Sequence, residues 1–71
     1  MNQPVLHISV NGEARDAPPG ATVATVLEAL GLAGVLVAVE INEEIVPRAA
    51  HGTHQVEDGD AIEIVQFVGG G

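Results

Sequence analysis

The sequence predicts an α+β domain in which a mixed sheet of four to five strands packs on one helix, and three observations carry that prediction. An Asn-Gly dipeptide separates two short segments near the start. A single stripe of apolar residues at helical spacing follows them, bracketed by a threonine and a glycine. The rest of the chain returns to alternating apolar and polar residues broken by turn-forming clusters. Period-2 segments on either side of one period-3.6 segment require a sheet with a helix laid on one face.

The elements follow in order. Leu6, Ile8 and Val10 alternate with Val5, His7 and Ser9, the pattern of a half-buried strand. Asn11-Gly12 comes next, and both central positions of a type I′ hairpin turn need positive φ, so residues 13–17 return as the second strand. Pro18-Pro19-Gly20 stops the sheet. Thr22 is placed as an N-cap, Val23, Val26, Leu27 and Leu30 form one apolar stripe, and Gly31 ends the helix. Residues 32–35 connect to a third strand in which Val37, Val39 and Ile41 alternate with Ala38 and Glu40. Asn42-Glu43-Glu44 turns the chain into a short fourth strand, Ile45-Val46, limited by Pro47. Residues 49–55 read as loop and Asp58-Gly59-Asp60 as a turn. Residues 62–67 form the last strand, with Ile62 and Ile64 inward and Glu63, Val65 and Phe67 outward. The order ββαβββ is that of the ubiquitin-like β-grasp, expected here as one domain over residues 1–71 with 68–71 as a flexible glycine tail.

Composition narrows the function. The 71 residues contain no cysteine, which removes disulfides, cysteine-ligated zinc and any thiol nucleophile of the chain's own. Lysine is absent as well, so there is neither Schiff-base chemistry nor a site for chains of isopeptide bonds. Ten acidic residues against Arg15 and Arg48 give a net charge of −8, a field that repels phosphate backbones and anionic lipid. Neither nucleic acid nor membrane is the expected partner. Residues 1–4 show no basic n-region, no apolar h-region follows, and a cytoplasmic, soluble chain, monomeric when free, is expected.

No Ser/His/Asp constellation or phosphate-cradling Gly-x-x-x-x-Gly-Lys is present, so an enzyme is not expected. His51 and His54 have a spacing seen in metal sites, but no helix aligns them, and they read as loop histidines; no metal site is expected. Asp58 and Asp60 begin like a calcium loop without its later ligands and read as a turn. Arg48 can pair with an acidic neighbour or contact a partner.

The segment Val68-Gly69-Gly70-Gly71 carries the more specific signal. At an average glycine usage of about 7%, two such terminal glycines occur by chance in roughly 0.5% of sequences and three in roughly 0.03%. Glycines lacking Cβ let an extended tail enter a narrow site of another protein. There a carboxylate at Gly71 can be adenylated and then converted to a thiocarboxylate, which supplies nucleophilic sulfur without a cysteine. Beside that tail, Val65, Phe67 and Ala38 form an apolar centre bordered by Glu40 and Glu63, suited to a gripping partner; folding of Phe67 over the sheet edge as core is the competing reading.

The element order, the segment Asn42-x-x-Ile45-Val46-Pro47-Arg48 and the run from Asp58-Gly59-Asp60 through Ile62-Glu63-Ile64-Val65-Gln66-Phe67 to the glycines resemble the ThiS family of sulfur carriers. The resemblance covers nearly the whole chain. It implies adenylation of Gly71 by a ThiF-type enzyme using ATP and Mg, sulfur from a cysteine desulfurase system, and delivery to a ThiG-type thiazole synthase in thiamine biosynthesis. The carrier itself would be a co-substrate with no intrinsic cofactor. Carriers for molybdopterin or cysteine synthesis resemble the chain in fold and tail, and a non-covalent β-grasp interaction module is the alternative of a different class.

Overall fold

The computed structural model describes residues 4–67. Five strands and one helix run in the order β1 (Leu6–Val10), β2 (Glu13–Ala17), α1 (Val23–Ala29), β3 (Val37–Ile41), β4 (Glu44–Val46) and β5 (Ala61–Gln66). They form one five-stranded mixed sheet of order β2-β1-β5-β3-β4, with β1 and β5 parallel and every other neighbouring pair antiparallel. The first hairpin turns at Asn11 (φ 50°) and Gly12 (φ 85°), the two positive values that the dipeptide predicts. The second hairpin is tighter than the three-residue turn expected. Asn42 (φ 52°) and Glu43 (φ 70°) make the whole connection, and Glu44 already belongs to β4.

Helix α1 is short because both ends are closed. Thr22 accepts from the Thr25 amide while the Thr25 hydroxyl accepts from the Thr22 amide, a reciprocal capping box. At the other end Leu32 N–H donates to the Leu27 carbonyl at 2.8 Å and Gly31 N–H to that of Glu28 at 3.0 Å, the pair of bonds that defines a Schellman motif around Gly31 (φ 75°). Val23, Val26 and Leu27 point from the helix into a core completed by Ile8, Val10, Val39, Ile41, Ile62 and Ile64 from the sheet. One sheet face is therefore covered by the helix.

The segment expected as plain loop is more ordered. Residues Arg48–Ala50 form a 3₁₀ turn, and the carbonyls that follow cover the helix start: Ala24 N–H donates to His51 at 2.8 Å and Val23 N–H to His54 at 3.0 Å. His51 is buried, and its Nε2–H donates to the Val46 carbonyl at 3.2 Å, tying the end of β4 to the turn. Sequence reasoning placed this histidine in a loop without a role. Its burial is decided by α1 and β4 meeting over it, which local pattern does not encode. The expected glycine tail, Val68 to Gly71, lies outside the described residues.

Candidate partner-binding face

The opposite sheet face carries no helix, and the pleat determines what it shows. Val39, Ile41, Ile62 and Ile64 point into the core, so their neighbours Ala38, Glu40, Glu63 and Val65 point outward. Register then sets them side by side. Ala38 is opposite Val65 and Glu40 opposite Glu63 across the β3–β5 pair, while Ile45 is opposite Glu40 across β3–β4. Phe67 N–H donates to the Leu36 carbonyl at 3.1 Å, which carries the same ladder one step further and brings Leu36 beside Phe67.

The face is apolar at Val65, Phe67 and Leu36, where β5 leads towards residue 68, and at Ile45, which lies beside Glu40 in the middle of the strands. Ile45 is 75% exposed, Val65 58%, Phe67 54% and Leu36 48%. These are four of the six large hydrophobic residues that are exposed among the described ones, and they share one face where scattered residues would need no explanation. Phe67 stands out from the sheet and is not core. Glu40 and Glu63 border Ala38 and Val65 on the same face, and the β3–β5 register adds that the two glutamates are direct cross-strand partners. Sequence reasoning missed Ile45 and Leu36. In a three-residue strand with two adjacent apolar residues no alternation tells which one faces inward, and Leu36 precedes its strand; the long ladder from β5 is what orients it.

One residue holds β5 in place beyond its pairing with β1. The β1–β5 register covers only Ser9 with Ala61 and Val10 with Ile62. Past that point Asn11 substitutes for backbone: Ile64 N–H donates to its Oδ1 at 2.8 Å and its Nδ2 donates to the Ile64 carbonyl at 3.2 Å. The turn residue of the first hairpin thus fixes the strand that carries Val65 and Phe67. The remaining expected site residues stay apart from this face. His51 and His54 cover the helix start, Arg48 is exposed on the 3₁₀ turn, and Asp58 and Asp60 bond main-chain amides of His7 and Glu57. No group of three or more His, Asp or Glu among the described residues is arranged to hold a metal ion.

A five-stranded mixed sheet with one helix on one face defines a ubiquitin-like β-grasp domain, here with an apolar outer face beside the last strand. A sequence model of the ThiS family matches residues 8–71, and the chain belongs to that family. The sulfur carrier protein ThiS of Escherichia coli is 38% identical over 66 residues, which are 93% of this chain and 100% of that protein. A crystal structure of ThiS from Geobacter metallireducens superposes with a TM-score of 0.74 at 36% identity, covering 93% of this chain and 100% of that one. A thiazole synthase of Paramagnetospirillum magneticum is 44% identical and one of Magnetococcus marinus 41% identical, each over 66 residues. This chain spans 20% of the length of those two synthases.

Proposed function

We propose that this chain is a sulfur carrier for thiazole formation in thiamine biosynthesis, acting as a co-substrate and not as a catalyst. The observation that carries the reading is that the ThiS family match runs through residue 71, so the glycines are part of the likeness and not an appendage to it. The whole length of the E. coli sulfur carrier is aligned as well.

The chemistry proposed is activation of a carboxylate. The Gly71 carboxylate oxygen attacks the α-phosphorus of ATP in a ThiF-type enzyme, with Mg as that enzyme's ion, and pyrophosphate leaves. The terminal sulfur of a persulfide carried by a cysteine desulfurase system then attacks the acyl carbon of the adenylate and AMP leaves; a thiol of the activating system next cleaves the resulting acyl disulfide, which releases the thiocarboxylate and leaves a disulfide behind. Val68, Gly69 and Gly70 would thread the enzyme's site, where missing Cβ atoms allow close approach. The acceptor proposed is a ThiG-type thiazole synthase. Two proteins named thiazole synthase contain a segment like this chain within a longer polypeptide, and that arrangement supports pairing the two activities. Dependence on ATP and on an intracellular sulfur relay supports the cytoplasm as the setting. No described helix is long and apolar enough to cross a membrane.

The test is mass spectrometry of the C-terminal peptide after incubation with the activating enzyme of the same organism, Mg-ATP and a sulfur source, beside a variant lacking Gly71. Replacement of one oxygen by sulfur, localised to that peptide and absent from the deletion variant, is the expected result. Localisation separates it from oxidation of Met1, which adds nearly the same mass. An unmodified C-terminus, with a control carrier loaded in parallel, would overturn the reading.

A further inference from the structure

Glu40 and Glu63 present a problem that no described residue solves. They are direct partners across an antiparallel pair, where side chains stand about 4.5–5.5 Å apart at Cβ, and like charges so placed destabilise the sheet. The sequence has no lysine and only two arginines. Arg15 is paired with buried Ile8 and so shares the helix side of the sheet, while Arg48 sits on the 3₁₀ turn. Among the described residues neither arginine lies within ion-pair distance of a carboxylate, and the one His–carboxylate contact, His7 Nδ1 with Asp16 Oδ1 at 3.1 Å, is on other strands. Both carboxylates therefore face outward with no cationic partner among the described residues, next to Ile45 and one step from Val65.

We propose that this face docks a protein partner that inserts an arginine side chain between Glu40 and Glu63, with apolar groups around it seated on Ile45, Val65, Phe67 and Leu36. The proposal rests on the carrier reading and adds the chemistry of the partner. Charge decides the occupant. A second copy of this chain would stack four carboxylates in one interface between two molecules of net charge −8, and anionic polymers or lipids are repelled by the same field. A guanidinium fits better than an ammonium. Its planar fork of donors can serve two carboxylates at once, and its weak hydration suits a site flanked by apolar side chains. Docking then relieves a repulsion that the free carrier bears, so the interaction is stronger in the complex than a lone pair of opposite charges would be.

The experiment uses the full chain, its Glu40→Gln, Glu63→Gln and double variants, and the thiazole synthase of the same organism, titrated calorimetrically at about 50 and 500 mM NaCl. Each single change is expected to weaken binding by about tenfold or more, and the double variant to lose most of the salt dependence. Thermal unfolding of the free variants is expected to shift upward or stay in place. Weaker binding by a more stable protein is a result that a merely structural role for these residues would not give. A double variant that binds within about twofold of wild type overturns the proposal. So does a wild-type chain that fails to bind the synthase. Sulfur loading of Gly71 is read separately on the same samples: loading with unaltered binding sinks the docking proposal alone, and absence of loading sinks the carrier reading.

Discussion

Glu43 occupies a backbone position that its side chain does not favour. With φ at 70° it sits in the left-handed region, where a Cβ costs roughly 1–2 kcal/mol relative to glycine. Its neighbour Asn42 (φ 52°) bears the same conformation more easily, because its amide is anchored: Nδ2 donates to Asp60 Oδ1 at 3.0 Å and Oδ1 accepts from Ala61 N–H at 3.0 Å. Asn42 thus ties the β3–β4 turn to the turn before β5, and Glu43 contributes no hydrogen bond of its own among the described residues. Glu43→Gly is expected to stabilise the protein by about 0.5–1 kcal/mol, the relieved strain less the entropy glycine adds to the unfolded chain. For a domain of this size that raises the thermal midpoint by roughly 2–8 °C, measurable by calorimetry. A lowered midpoint would show that the Glu43 side chain makes a compensating contact.

Asn11 joins two elements distant in sequence. Its backbone makes the type I′ turn between β1 and β2, and its side chain pairs with Ile64 on β5, 53 residues away. Asn11→Gly keeps the positive φ and removes only the amide, leaving a Gly-Gly turn that the hairpin accepts. The expected loss is about 1–2 kcal/mol. Hydrogen exchange locates it: the Ile64 amide should lose protection while the Val65 amide, directed to β3 by the alternation of the strand, keeps its own. Equal protection of Ile64 in variant and wild type would show that another group takes over. The turn at Asn11-Gly12 was readable from the dipeptide alone, and so were the Thr22 cap, the Gly31 stop and the inward face of β5. Each of those depends on residues within one turn or one strand. The Asn11 bridge, the burial of His51 and the outward aim of Ile45 were not readable, because each is decided by contact with another element and not by the residue's own segment. The site divides the same way. Val65 and Phe67 were placed by alternation, whereas the direct opposition of Glu40 and Glu63 is a matter of register between strands that no local pattern fixes.

At the scale of the molecule, charge is the term most open to the solvent. Ten acidic residues and two arginines fold into one small body, and among the described residues neither arginine lies within ion-pair distance of a carboxylate; the exposed His7 and Asp16 side chains share a hydrogen bond. Screening by salt therefore removes much repulsion and little attraction. The Debye length falls from about 30 Å at 0.01 M to about 8 Å at 0.15 M, shorter than the 20 and 21 Å of the two smaller principal extents of the fold, so charges on opposite sides cease to interact. Stability is expected to rise between these two ionic strengths by about 1 kcal/mol, which is several degrees in the thermal midpoint. The gain should come from ordinary screening, so sodium chloride and potassium chloride at equal ionic strength should act alike. The Glu40→Gln, Glu63→Gln double variant separates the local contribution from the global one, since it removes two of the ten acidic charges at the one place where they are cross-strand neighbours. Its midpoint in low salt should already be higher and its further rise with salt smaller. A salt response equal to that of wild type would mean that the repulsion is spread evenly over the surface, and that the outer sheet face bears no particular share of it.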